Sequence, residues 1–140
     1  MDDDRTVRVG HEGAVLEFRK PVPAQAQAES VVATLLLPGL TASRLIQLDD
    51  AGDGLPEFFG GLAVDWRGWD GPRAWISRED DLRLTCYHDR IGHVVIEVTL
   101  DRLPPHEWHR PGWTATASVV VDPGALQVIA VALHHLLVEA

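Results

Sequence analysis

Seven histidines, one cysteine and a surplus of carboxylates are the residues of this sequence best equipped for chemistry, so their spacing is the first question. His88, Asp89 and His93 bracket one short turn, and His106 and His109 stand three apart in the stretch LPPHEWHRPGW. Imidazoles at that separation, supplemented by a carboxylate, suit zinc if the two loops converge. A metal or small-ligand site built from these five residues, with Trp108 beside them, is therefore the alternative reading of function. Nucleophilic catalysis has less support. Cys86 and His88 are two apart on an extended run, about 7 Å by strand rise, too loose for a working dyad. Glu79, Asp80 and Asp81 form an acidic turn that solvation explains. Residues 49–54, DDAGDG, set Asp49, Asp53 and Gly54 at calcium-loop positions one, five and six, but Ala51 stands at three and Gly60 at twelve, where a glutamate is required. There is no G-x-S-x-G elbow, P-loop, dinucleotide glycine fingerprint or H-E-x-x-H. The expectation is a protein with no catalytic residues and no cofactor.

Charge narrows the partners. A net charge of −9 with scattered basic residues repels phosphate backbones and favours a basic protein partner over nucleic acid. Arginine supplies all the basic residues except Lys20, as GC-rich coding would give. No apolar run reaches bilayer length, and the opening MDDDRTVRV is acidic where a secretory signal is basic and then apolar, so the expected address is the cytoplasm, away from membranes. The single cysteine excludes an internal disulfide, and its strand position marks it as small core packing. At 140 residues the chain is expected to form one domain, residues 1–140, as monomer or homodimer.

The elements that must position these groups are organised around Trp75 to Leu100. Two alternating runs flank Arg90, Ile91 and Gly92, a three-residue hairpin loop with glycine where a left-handed backbone is needed. Leu82/Leu100, Leu84/Val98, Cys86/Ile96 and His88/Val94 then share a dry face. Arg83/Thr99, Thr85/Glu97, Tyr87/Val95 and Asp89/His93 share the opposite, mostly wet face. A second hairpin joins Thr6–Val9 to Ala14–Arg19 with Val9 opposite Ala14 and Val7 opposite Leu16, and a third turns at Pro38-Gly39. In the third, Arg44 lies on an apolar side, either snorkelling at an edge or anchoring a buried ion pair. Pro21 onward, PVPAQAQAE, reads as an exposed connection. Leu55, Phe58, Phe59, Leu62 and Trp66 form one stripe of a first helix opened by Pro56, and Gly60-Gly61 implies a close backbone approach or a break there. The corner WRGWDGPRAW follows, its tryptophans covering the core or lining an interface, with Trp69 a candidate contact. Trp113–Val121 alternates as a half-buried strand with Thr114, Thr116 and Ser118 outward. Asp122-Pro123-Gly124 caps a final helix with a stripe of Leu126, Ile129, Ala130, Leu133, Leu136 and Leu137. The fold class is α+β: a mainly antiparallel, curved β-sheet of about seven strands built from hairpins, with two α-helices packed on one face.

The order WRGWDG, W-x-S-x-E-x-x-L-x-L from Trp75, Gly92-His93-Val94 and W-x-A-x-A from Trp113 resembles an uncharacterised family of small proteins, a domain of unknown function, from GC-rich bacteria. The likeness runs from Val7 to Leu137 and is carried by Trp66, Gly68, Trp69, Gly71, Trp75 and Ser77, then by Glu79, Leu82, Leu84, Gly92, His93 and Val94, and finally by Trp113, Ala115, Ala117 and Gly124. The resemblance implies a shared single-domain fold and no particular chemistry. In layout and acidity the chain is also similar to immunity proteins that neutralise bacterial toxins, an analogy of architecture. The functional expectation is accordingly a non-catalytic protein-binding domain. Its surface would use Thr85, Tyr87, Glu97 and Thr99 on the wet face, extended by Asp80 and Asp81, to engage a basic partner.

Overall fold

Glycines that accept positive φ decide where this chain reverses. In the computed structural model, which describes residues 6–11, 13–21, 30–102 and 111–138, strands β1 (Thr6–His11) and β2 (Ala14–Arg19) meet at Gly13, φ +99°. Strands β3 (Ser30–Leu37) and β4 (Leu40–Gln47) meet at Gly39, φ +83°. A 3-10 turn, Asp50–Gly54, leads into helix α1 (Leu55–Val64), and then come β5 (Arg73–Ile76), β6 (Leu82–His88), β7 (Val94–Arg102) and β8 (Trp113–Val121). A second 3-10 turn at Pro123–Ala125, with Asp122 accepting the Gly124 amide at 2.8 Å, starts helix α2 (Leu126–Leu137). The Pro21 connection and the crossing from Leu103 fall largely outside the described residues.

Among the described residues the architecture is α+β and antiparallel throughout, with eight strands in two four-stranded sheets, ordered β1-β2-β3-β4 and β5-β6-β7-β8. The additional strand is β5, only four residues long and set among the tryptophans of the corner, where alternation has no length in which to appear. Because α1 and the corner separate β4 from β5, these two strands are not hairpin partners and the sheet divides there. The inner faces of the sheets share one core with the helices, in which Phe18, Leu35, Ile46, Leu84, Ile96 and Leu133 are fully buried. Burial of such side chains contributes about 1.5–3 kcal/mol each.

The β6–β7 register is the one its pattern predicts, from Leu82 opposite Leu100 to His88 opposite Val94, with Gly92 at φ +105°. Arg90 also takes positive φ, +64°, which its residue type does not announce. In β1–β2 the predicted pairing is two residues off: Val9 faces Leu16 and Val7 faces Phe18. The strand runs on to His11 and turns more tightly than four loop residues would allow, while a shift of two leaves every side chain on its predicted face. Gly10 makes that extension possible. A Cβ there would stand 2.5 Å from the Ala14 carbonyl oxygen and 3.2 Å from the Val119 Cβ, so β8 crosses the end of the first sheet at close range.

Helix α1 needs two corrections. It ends at Val64, so Trp66 lies beyond the helical register and is 49% exposed instead of completing the stripe. Neither Gly60 nor Gly61 has a neighbour within 4 Å of a notional Cβ, and the helix continues through both, so they mark neither a close approach nor a break. Of the two readings of Arg44, the ion pair holds: its Nε is 3.5 Å from Asp81 Oδ2, joining β4 to the turn before β6.

Candidate protein-docking face

Register assigns the outer face of β5–β8 residue by residue. Ala74, Thr85, Glu97 and Ser118 form one row across the four strands, and Ile76, Arg83, Thr99 and Thr116 form another. Tyr87, Val95 and Val120 form a third row on β6–β8. The members of these rows are exposed or half-buried, in contrast to the dry inner face. Tyr87 is 38% exposed and Ile76 is 55% exposed. Glu97 is exposed and has no ion pair among the described residues, while Tyr87, on the diagonal from it, has no hydrogen bond to its hydroxyl there. A flat β surface with one tyrosine, one free carboxylate and flanking threonines offers apolar area and polar groups that a partner can pair.

At one end of this face Arg83 is clamped between Asp80 (2.9 Å) and Asp101 (2.8 Å). The Asp80 hydrogen bond, with the charge of Asp101 behind it, holds the guanidinium above its ordinary range. Asp80 remains exposed at φ +61° and belongs to the surface. Asp81 does not. It is 6% exposed: Oδ1 accepts the Ser77 hydroxyl at 2.6 Å and Oδ2 faces Arg44. Ser77 Oγ in turn accepts the amides of Asp81 (3.0 Å) and Leu82 (2.9 Å), closing the turn into β6. The serine of W-x-S-x-E-x-x-L-x-L is thereby a turn clamp.

Trp69 is also interior, 4% exposed. Its indole N–H donates to the Cys86 carbonyl at 3.4 Å, its ring meets the His88 ring edge-on at 5.2 Å, and Arg73 lies 5.0 Å from its centroid. Cys86 is fully buried, and burial pushes its thiol up to about 12, which removes it as a nucleophile.

The β6–β7 tip is fastened to the tryptophan corner. The Arg90 amide donates to His88 Nδ1 at 2.8 Å, so the proton sits on Nε2, which donates to the Trp66 carbonyl at 2.7 Å. Arg90 reaches Asp70 at 2.6 Å, and its side chain passes 3.4 Å from where a Cβ on Gly68 would be. Asp89 accepts the amides of Ile91 (2.8 Å) and His93 (2.9 Å), and its other oxygen is 2.9 Å from His93 Nδ1. The Ile91 amide, then the His93 contacts, hold its carboxyl below the usual range. The motif residues Trp66, Gly68, Trp69, Gly92 and His93 thus share one structural task.

For the metal reading, both ring nitrogens of His88 are already committed, Nδ1 to the Arg90 amide in the tip and Nε2 to the Trp66 carbonyl in the corner. Among the described residues no group of three or more histidine, cysteine or carboxylate side chains is placed to hold a metal ion. His106 and His109, with Trp108, lie outside the described residues. The exposed face also includes Ile76, on the short β5 that no alternation announces, and Thr116 and Ser118, which the alternation of β8 points outward.

No curated protein and no solved structure shows significant similarity to the chain. A family model does match, over residues 7–140, under the description "Family of unknown function (DUF6228)". The chain belongs to that family.

Proposed function

We propose that this chain is a non-catalytic protein-binding domain whose docking surface is the outer face of β5–β8 and whose partner is a basic protein. The observation that carries the reading is the open face itself, where Tyr87 stands diagonal to a Glu97 with no ion pair among the described residues and the exposed Asp80 flanks Arg83 at one end. The net charge of −9 supports it, since that field accelerates encounter with a cationic partner. In this reading the domain works in the cytoplasm and neutralises a basic toxin in the manner of an immunity protein.

The test is co-purification with the product of the directly adjoining reading frame. A basic, toxin-like product should bind, with an association rate that falls at least tenfold between about 50 and 500 mM salt as screening shortens the field. A neighbouring product that is acidic, or a basic one that does not bind, removes the toxin-neutralising role.

A further inference from the structure

A cleft of about 410 Å³ lies between the start of β4 and the start of β8, lined by Leu40–Ser43 on one side and Trp113–Ala115 on the other. That volume is within the roughly 300–1,000 Å³ of ordinary ligand clefts. Both of its walls are sheet edges: among the described residues β4 pairs only with β3, and β8 only with β7. Such edges present backbone amides and carbonyls with no strand opposite, the groups an added strand requires. None of the lining side chains is charged.

Of the charged residues next to the cleft walls, Arg44 is paired with Asp81 and Asp101 with Arg83, which leaves Arg102. Arg102 is the register partner of Trp113, so the two side chains rise from the same face of the second sheet. Its one side-chain hydrogen bond among the described residues is long, 3.4 Å, to the Pro111 carbonyl. Every other described arginine is held by a carboxylate, except Arg67, which lies over the Trp66 ring. In a chain so rich in carboxylates, a half-buried arginine that no described carboxylate reaches is complementary to a carboxylate from outside.

From these observations we infer that the cleft takes an extended segment of a partner protein, pairing along Leu40–Ser43 and carrying an acidic side chain to Arg102. The four lining residues of β4 span about 13 Å, the length of a short extended peptide. This cleft adjoins the docking face of β5–β8 at Thr114, but the inference rests on the strand edges and Arg102 and does not depend on that reading.

The experiment uses the full chain, labelled with nitrogen-15, and a blocked five-residue peptide that alternates valine and threonine and ends in glutamate. Amide shifts should concentrate at residues 40–43 and 113–115. Replacing the peptide's glutamate with glutamine, or Arg102→Gln in the protein, should each weaken binding about tenfold, and N-methylation of alternate peptide amides should abolish it. Absence of shifts at these residues with millimolar peptide overturns the inference, as does undiminished binding of the N-methylated peptide. Equal affinity for wild type and Arg102→Gln overturns it too.

Discussion

Replacing Arg44 with leucine removes the cation that β4 sets against Asp81, the one ion pair in which a strand of the first sheet reaches the second half of the chain among the described residues. The cost follows from burial and geometry. The Asp81 side chain is 7% exposed and that of Arg44 is 28%, and the 3.5 Å contact is not an aligned hydrogen bond. Breaking a fully buried pair costs about 3–5 kcal/mol. With one partner reaching water across a long contact, about 2 kcal/mol is expected for Arg44→Leu. Asp81→Asn keeps the volume and an oxygen for the Ser77 hydroxyl, so about 1.5 kcal/mol is expected there. Both changes remove the same attraction, and the double variant should therefore cost about 1 kcal/mol less than their sum. Urea unfolding followed by tryptophan fluorescence measures all four proteins, with an unchanged slope as the check that the unfolded state is the same. Costs that add within about 0.3 kcal/mol would refute the pair as a link between the sheets.

Gly10→Ala should destabilise by about 3 kcal/mol, lowering Tm by about 10 °C, because positive φ and the Ala14 carbonyl both oppose a Cβ; Gly13→Ala, with open space around it, should lose only about 1 kcal/mol. The Cys86 thiol should resist Ellman's reagent at pH 8 in the native protein and react fully in urea. Its folded pKa is raised by burial from 9.0 to about 12, so the unfolded state ionises first and stability should decline as pH rises through that window, a decline that Cys86→Ser must flatten. The Asp89 carboxyl, held low by the Ile91 and His93 amides, should titrate below its ordinary 3.8 in a carbon-13 NMR experiment, and its contribution to stability, present above that value, should be lost as pH falls through the folded midpoint. A midpoint at or above 3.8 contradicts the tip geometry.

The central hairpin was legible because two independent signals agree there: alternation over seven residue pairs fixes the faces and Gly92 fixes the turn. The β1–β2 register was not, because a shift by two keeps Val7, Val9, Leu16 and Phe18 inward and so leaves the hydrophobic pattern unchanged, and the close approach of β8 to Gly10 that accompanies the observed register is encoded by no local pattern. Thr85, Tyr87, Glu97 and Thr99 share the outer face as their parity requires. Asp80 and Asp81, adjacent in sequence, separate: one stays in water, while the other turns in to a cation thirty-odd residues away whose approach depends on how two sheets meet. Trp69 illustrates the same limit, since a tryptophan on a glycine-rich corner reads alike whether it covers a core or faces a partner, and here His88, Cys86 and Arg73 surround it.

The most direct test of the docking face is the affinity of the basic partner for three variants, measured by titration calorimetry at low salt. Tyr87→Ala should weaken binding about 30-fold, the loss of a typical aromatic anchor, and Glu97→Arg should weaken it by at least as much by setting like charges together. Arg8→Ala, on the outer face of the first sheet and 68% exposed, should bind as the unaltered protein does. Unchanged affinity for both Tyr87→Ala and Glu97→Arg in a partner complex would contradict the account.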